Sequence, residues 1–170
     1  MFLLLPDRSI VLKPMDNRKK PASVARNIWL GLTDGITIAL VLAAVLTRIN
    51  LALHVIAIAC IALALAGGLT MSAGRYIEGR RYEPEFNLQL SLLVGVGYIL
   101  GGLLIALVYF VQRDVTSALL LSIIVASLIM LAGGYAESRL FQSNPWTTML
   151  RTWITGLIAT GLAYYVAGIF

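Results

Sequence analysis

Between Leu88 and Val111 the chain carries no ionisable side chain except two tyrosines, Tyr98 and Tyr109. A hydrocarbon layer about 30 Å thick takes about 20 apolar residues of helix to cross. Within that layer every backbone N–H and C=O must find a partner inside the segment, which a helix provides. This run therefore predicts a membrane-spanning helix. Four more apolar runs, at 28–47, 52–74, 116–136 and 152–170, bring the expected spans to five. Transmembrane strands would read as short alternating segments, so the unbroken runs argue against a barrel. The expected fold is all-α, an integral membrane protein with five transmembrane helices behind a basic tail at residues 1–27. Of 170 residues 59% are hydrophobic and only 12% charged, half the charge of a typical soluble domain.

The net charge of +5 and pI near 9.7 would suit a polyanionic partner if the basic residues clustered on a soluble face. They do not. Six lie in the tail (Arg8, Lys13, Arg18, Lys19, Lys20, Arg26), three between the second and third runs (Arg75, Arg80, Arg81) and two between the fourth and fifth (Arg139, Arg151). Only Arg48 and Arg113, two of the 13, fall in the connections of the other side. The positive-inside rule then places the N-terminus in the cytoplasm and the C-terminus outside or in a lumen. The charge reports orientation, and no nucleic-acid partner is expected. The tail around Arg18-Lys19-Lys20 can instead touch anionic membrane lipid. Met1 to Leu5 is too short for a signal-peptide core and is followed by Pro6 and Asp7, so the tail is expected to stay attached. Connections near 48–51 and 112–115 are short enough to make antiparallel hairpins. The cytoplasmic connections, 75–87 and 137–151, are longer.

Chemistry-bearing residues are few. The single cysteine, Cys60, excludes a disulfide or a thiolate cluster within one chain. With one histidine, His54, read as an interfacial side chain, and no nucleophile triad or phosphate loop, neither enzymatic activity nor a cofactor is expected. Asp34 stands apart. An ionised carboxylate in a span costs roughly 2.5–3.5 kcal/mol on insertion scales, and Asp34 lies about 9 Å of helix rise beyond Ile28. Either the helix begins later, near Gly35, and Asp34 sits in water, or it faces the bundle interior as a cation ligand and proton acceptor. Met71 ends the second run on the same side, within the small and hydroxylated stretch Gly67 to Gly74. A carboxylate with a thioether suits a divalent transition metal better than calcium or magnesium, which prefer oxygen alone.

Glu78 and Glu137 can form an acidic vestibule that gathers cations, or be neutralised by Arg75 and Arg80. They occupy matching places in a short echo, Gly74-Arg-Tyr76-Ile-Glu78-Gly-Arg80 against Gly133-Gly-Tyr135-Ala-Glu137-Ser-Arg139. The candidate metal residues are therefore Asp34, Met71, Glu78 and Glu137. Glu83, Glu85, Asp7, Asp16 and Asp114 read as solvated charges. The many glycines, among them Gly31, Gly35, Gly97 and Gly101, predict close helix crossings.

Three segments resemble the vacuolar iron transporter family: Gly31-Leu-Thr-Asp34-Gly35-Ile-Thr37, Ala66 to Tyr76, and the closing Gly156…Gly161…Gly168. The resemblance covers about residues 28–170. It implies five membrane helices, a homodimer, and export of ferrous iron and manganese from the cytosol in exchange for protons. It also implies that Asp34 and Met71 line the path, with the metal as substrate. Three departures stand out. A connection of about 13 residues replaces the family's long cytoplasmic helical domain, rich in glutamate and methionine. Arg75 stands where the family often has glutamate, and the acidic and histidine residues common in the family's tail are missing.

Two other functions fit the residues: a proton-coupled transporter of another solute with Asp34 as relay, and a non-transporting membrane subunit that docks a cytoplasmic partner through 1–27 and 75–87. The expected location is a cell membrane in a prokaryote, or a vacuolar or other organelle membrane in a eukaryote.

Overall fold

In the computed structural model of the chain the described residues are 20–79, 84–141 and 145–169. They form five helices: α1 (Lys20–Arg48), α2 (Leu53–Gly79), α3 (Pro84–Val111), α4 (Val115–Phe141) and α5 (Pro145–Ala167). There is no strand among them. At 29, 27, 28, 27 and 23 residues, each exceeds the length that a hydrocarbon layer requires, about 20 residues at 1.5 Å rise. Four carry apolar stretches of spanning composition: Val24–Arg48, Leu53–Gly79, Leu88–Val111 and Val115–Tyr135. This is a multi-pass membrane protein. The first half of α5 is diluted by Arg151 and threonines at 147, 148, 152 and 155, so α5 is long enough to span but falls short on composition.

The helices run well past the apolar runs. Most of 75–87 and 137–151, expected as connections, is helical, and only 80–83 and 142–144 separate the elements there. Arg, Glu, Leu and Met are good helix formers, and they occur in the helical parts of these stretches, where the helix continues past the apolar pattern. Between α1 and α2 the turn is tight. Asn50 takes φ 58°, Leu51 N–H donates to the Leu46 carbonyl at 3.1 Å, and Asn50 N–H donates to Thr47 at 3.0 Å. This left-handed cap satisfies two of the last α1 carbonyls.

Glycines decide the packing. A Cβ on Gly31 or Gly35 would collide with the backbone of Val94 or Tyr98 in α3. One on Gly97 or Gly101 would collide with the backbone of Ile28 or Leu32 in α1. The numbering rises together on both helices, so α1 and α3 lie parallel along a seam of paired Gly-xxx-Gly steps. Toward α2, Gly95 receives Ser72 and Gly102 receives Ala64; here the numbering runs oppositely, an antiparallel pair. Gly133 of α4 is covered by the Trp29 indole, and Gly156 of α5 rests on Met130 of α4. Helix α1 thus packs against all four others. The core is built from Ile36, Ala39, Leu40, Ala43, Ile56, Cys60, Ile105 and Tyr109, while large apolar side chains such as Leu69 and Ile77 point outward, 71% and 72% exposed. Outward apolar faces are what a lipid surround requires.

Candidate functional site

Toward their N-terminal ends α1 and α5 line a cavity of about 530 Å³. From α1 it is lined by Arg26, Trp29, Leu30, Thr33 and Asp34, and from α5 by Thr147, Arg151, Thr152 and Thr155. Arg26, Leu30 and Thr33 follow one helical stripe, and Thr147, Arg151 and Thr155 another, so each helix offers one face. At the opposite end the two helices meet again. Arg48 lies 5.3 Å from the centre of the Tyr164 ring, and its guanidinium fills the space beside Gly168. Residues 26–34 of α1 share the cavity with residues 147–155 of α5, and Arg48 meets Tyr164 and Gly168, so the two helices run parallel.

Asp34 is half-buried on the wall of this cavity. It lies ten residues beyond Val24, where the apolar stretch of α1 begins, about 15 Å of helix rise. The helix around it is continuous from Lys20, so Asp34 belongs to the helix interior and not to a wet first turn. The Thr33 hydroxyl donates to the carbonyls of Trp29 at 3.1 Å and Leu30 at 3.0 Å. Thr155 likewise donates to Arg151. With their hydrogens spent on their own helices, both oxygens face the cavity as acceptors only. Its inner part is therefore an acceptor surface, made of a carboxylate and hydroxyl lone pairs. Such a surface suits a cation.

From the other side, the charge of Arg75 in α2 acts on Asp34, and Asp34 in turn acts on the Tyr98 phenol of α3. Tyr98 is buried, and its ring covers Gly67. Arg75 also pairs with exposed Glu78 at 3.6 Å, three residues on. A pair that open to solvent contributes little to stability.

Met71 is half-buried on α2 and is not among the side chains lining the Asp34 cavity. Glu137 belongs to α4, but its side chain lies outside the described residues, as do the tail before Lys20 and the charges at 80, 81 and 83. His54 is exposed in the first turn of α2. Among the described residues no three His, Cys, Asp or Glu side chains come together. The two copies of the sequence echo differ in setting: Gly74 is exposed with nothing within 4 Å of a would-be Cβ, while Gly133 is buried under Trp29.

In the sequence Arg26 and Arg151 mark only orientation, and Thr33 and Thr155 carry no signal of their own. Their stripe spacing was visible, but nothing in the sequence paired the α1 stripe with that of α5.

The chain is similar in sequence to known proteins. The chain is 32% identical over 85 residues to vacuolar iron transporter 1 of Tulipa gesneriana, covering 50% of this chain and 34% of that protein. It is 29% identical over 85 residues to vacuolar iron transporter 1 of Oryza sativa subsp. japonica, with the same coverage. These matches span about a third of each relative's length. Vacuolar iron transporter 1 of Eucalyptus grandis aligns over 212 residues at 22% identity, covering 85% of both proteins. The pattern of the VIT family matches residues 81–168, just over half the chain, and the chain belongs to that family.

Proposed function

We propose that this protein carries a divalent transition metal, ferrous iron foremost and manganese second, out of the cytosol in exchange for protons. The observation that carries the reading is Asp34, a carboxylate held inside an apolar helix bundle on the wall of a cavity whose inner surface offers acceptor oxygens. The names of the plant relatives support iron as the substrate.

In the proposed cycle Asp34, ionised and open to the cytoplasm, binds the cation, and Met71 adds a soft ligand that favours iron and manganese over calcium and magnesium. Protonation of Asp34 from the far side then competes for the same oxygens and releases the metal, which couples the two fluxes. Glu78 and Glu137 serve as outlying attractors. A single carboxylate within the apolar spans of each chain suits a symmetric homodimer, in which two copies of Asp34 share one path. The distribution of basic residues supports a cytoplasmic N-terminus, with α5 as fifth span.

In proteoliposomes loaded with a ferrous-sensitive dye, Asp34→Asn is expected to lose at least about tenfold in flux, because an amide holds neither a net negative charge nor an exchangeable acid proton. Undiminished, pH-coupled ferrous uptake by Asp34→Asn would overturn the assignment.

A further inference from the structure

The inner wall of the Asp34 cavity carries acceptor oxygens from Thr33, Asp34 and Thr155. Further along both helices the same seam continues. Thr37 follows Thr33 on the α1 stripe, one turn on, and Gly156 comes directly after Thr155 on α5. A Cβ on Gly156 would stand 3.3 Å from the Sδ of Met130 in α4 and 3.8 Å from Thr37 Oγ1. The sulfur and the oxygen therefore border one methyl-sized space, where α1, α4 and α5 come together. Met130 is 3% exposed, so its side chain faces protein and not lipid.

The chemistry of the two atoms decides what this space can hold. Thr37 donates its hydroxyl hydrogen to the Thr33 carbonyl at 2.8 Å, which leaves Oγ1 only lone pairs to offer. A thioether sulfur has no hydrogen and is a weak, polarizable acceptor. Two acceptors that border one space have no hydrogen to share, whereas a cation satisfies both. Glycine at 156 keeps the space open, since an alanine methyl would fill it. Sulfur also discriminates among cations, because calcium and magnesium take oxygen while transition metals accept a thioether. Thr37 lies 13 residues beyond Val24 in the apolar stretch Val24–Arg48, past its middle. A cation leaving Asp34 toward the C-terminal end of α1 meets this place after about 4.5 Å of helix rise.

We propose that Met130 Sδ and Thr37 Oγ1 form a second cation site, one helical turn beyond Asp34, that accepts divalent transition metals and rejects calcium and magnesium. The proposal rests on the reading of Asp34 as a cation ligand. It differs from the pairing of Asp34 with Met71 in the source of its sulfur. Met71 is not among the side chains lining the cavity, whereas Met130 stands at the inward continuation of its wall.

The test loads the full chain in neutral detergent with ferrous ion, kept anaerobic. X-ray absorption at the iron edge reports sulfur in the metal's shell, and equilibrium dialysis with magnesium as competitor reports affinity and selectivity. Met71→Leu removes the thioether of α2 and should keep sulfur in the iron shell. Met71→Leu/Met130→Leu should lose it. Met130→Leu alone should bind ferrous ion at least about fivefold more weakly, with magnesium competing correspondingly better. Thr37→Val should weaken ferrous binding to a similar degree. Leucine nearly conserves the volume of methionine, so the fold should persist, which Tm without metal checks. Sulfur already absent in Met71→Leu, sulfur persisting in Met71→Leu/Met130→Leu, or ferrous affinity unchanged in Met130→Leu or Thr37→Val would overturn the proposal. Asp34→Asn separates it from the reading on which it rests. If Asp34→Asn keeps sulfur-ligated iron at wild-type affinity, the Asp34 assignment fails and the Met130 site stands. If iron binding needs Asp34 but carries no Met130 sulfur, only the second site fails. Wild-type protein that binds no ferrous ion overturns both.

Discussion

At the residue scale, a pair of buried hydroxyls joins two helices, while Thr33, Ser138 and Thr160 donate to carbonyls of their own helices. Tyr109 is fully buried near the C-terminal end of α3, and its hydroxyl lies 2.9 Å from Thr47 Oγ1 across the α1–α3 seam. Tyr109→Phe keeps the ring and removes the bond. The expected cost is about 0.6–1 kcal/mol, the range for interhelical hydrogen bonds in membranes, because Thr47 can turn its hydroxyl to a carbonyl of its own helix. Urea or detergent-mixture unfolding of the variant checks this. The same scale shows what a single residue can reveal. Asp34 was conspicuous in the sequence because an acid in an apolar run has a cost that something must offset. Arg26 and Arg151 were not conspicuous, since a basic residue at the end of a span is what orientation alone requires.

At the element scale, helix ends carry the local instructions. Asp114 precedes α4, and its Oδ2 accepts the Ser117 backbone N–H at 2.8 Å and the Ser117 hydroxyl at 3.0 Å. These bonds, the backbone one first, favour the charged form and hold the Asp114 carboxyl below the ordinary carboxylate range. A depressed folded-state pKa stabilises above the unfolded value and loses that contribution as pH falls through the folded one. Asp114→Ala should therefore lower Tm at pH 7, and the gap to wild type should shrink as pH drops below about 4, the ordinary aspartate value. A gap that stays constant down to pH 2 would contradict the cap. Helix boundaries on the side rich in basic residues, such as the starts of α1 and α5 and the ends of α2 and α4, were less legible than those on the other side. Charge ends a transmembrane run without ending a helix, which is why residues 75–79 and 145–151 continue their elements.

At the scale of the whole molecule, stability depends on backbone approach along α3. Gly31→Ala places a methyl into the Val94 carbonyl. Because backbone on both sides cannot yield as a side chain would, the expected cost is about 1–3 kcal/mol, read as a lower Tm in detergent. Gly74→Ala is the control: nothing lies within 4 Å of the new Cβ, and the helix should gain up to about 1 kcal/mol from alanine's higher propensity. If the two variants behave alike, the α1–α3 seam is not what holds the bundle.

The sequence by itself determined that this chain is a bundle of long apolar helices in a membrane, with one acid in a span and short connections near 48–51 and 112–115. Those properties follow from length, hydropathy and the local chemistry of helix ends. Which helices adjoin was decided only by the tertiary structure. Segments that are apolar on every side carry no periodic mark of the face they bury, so neither the α1–α3 seam nor the meeting of α1 with α5 could be read along the chain. The mouth of the cavity is the sharpest case. Arg26 and Arg151 are 125 positions apart in sequence, and only the parallel packing of their helices sets them around the space that leads to Asp34.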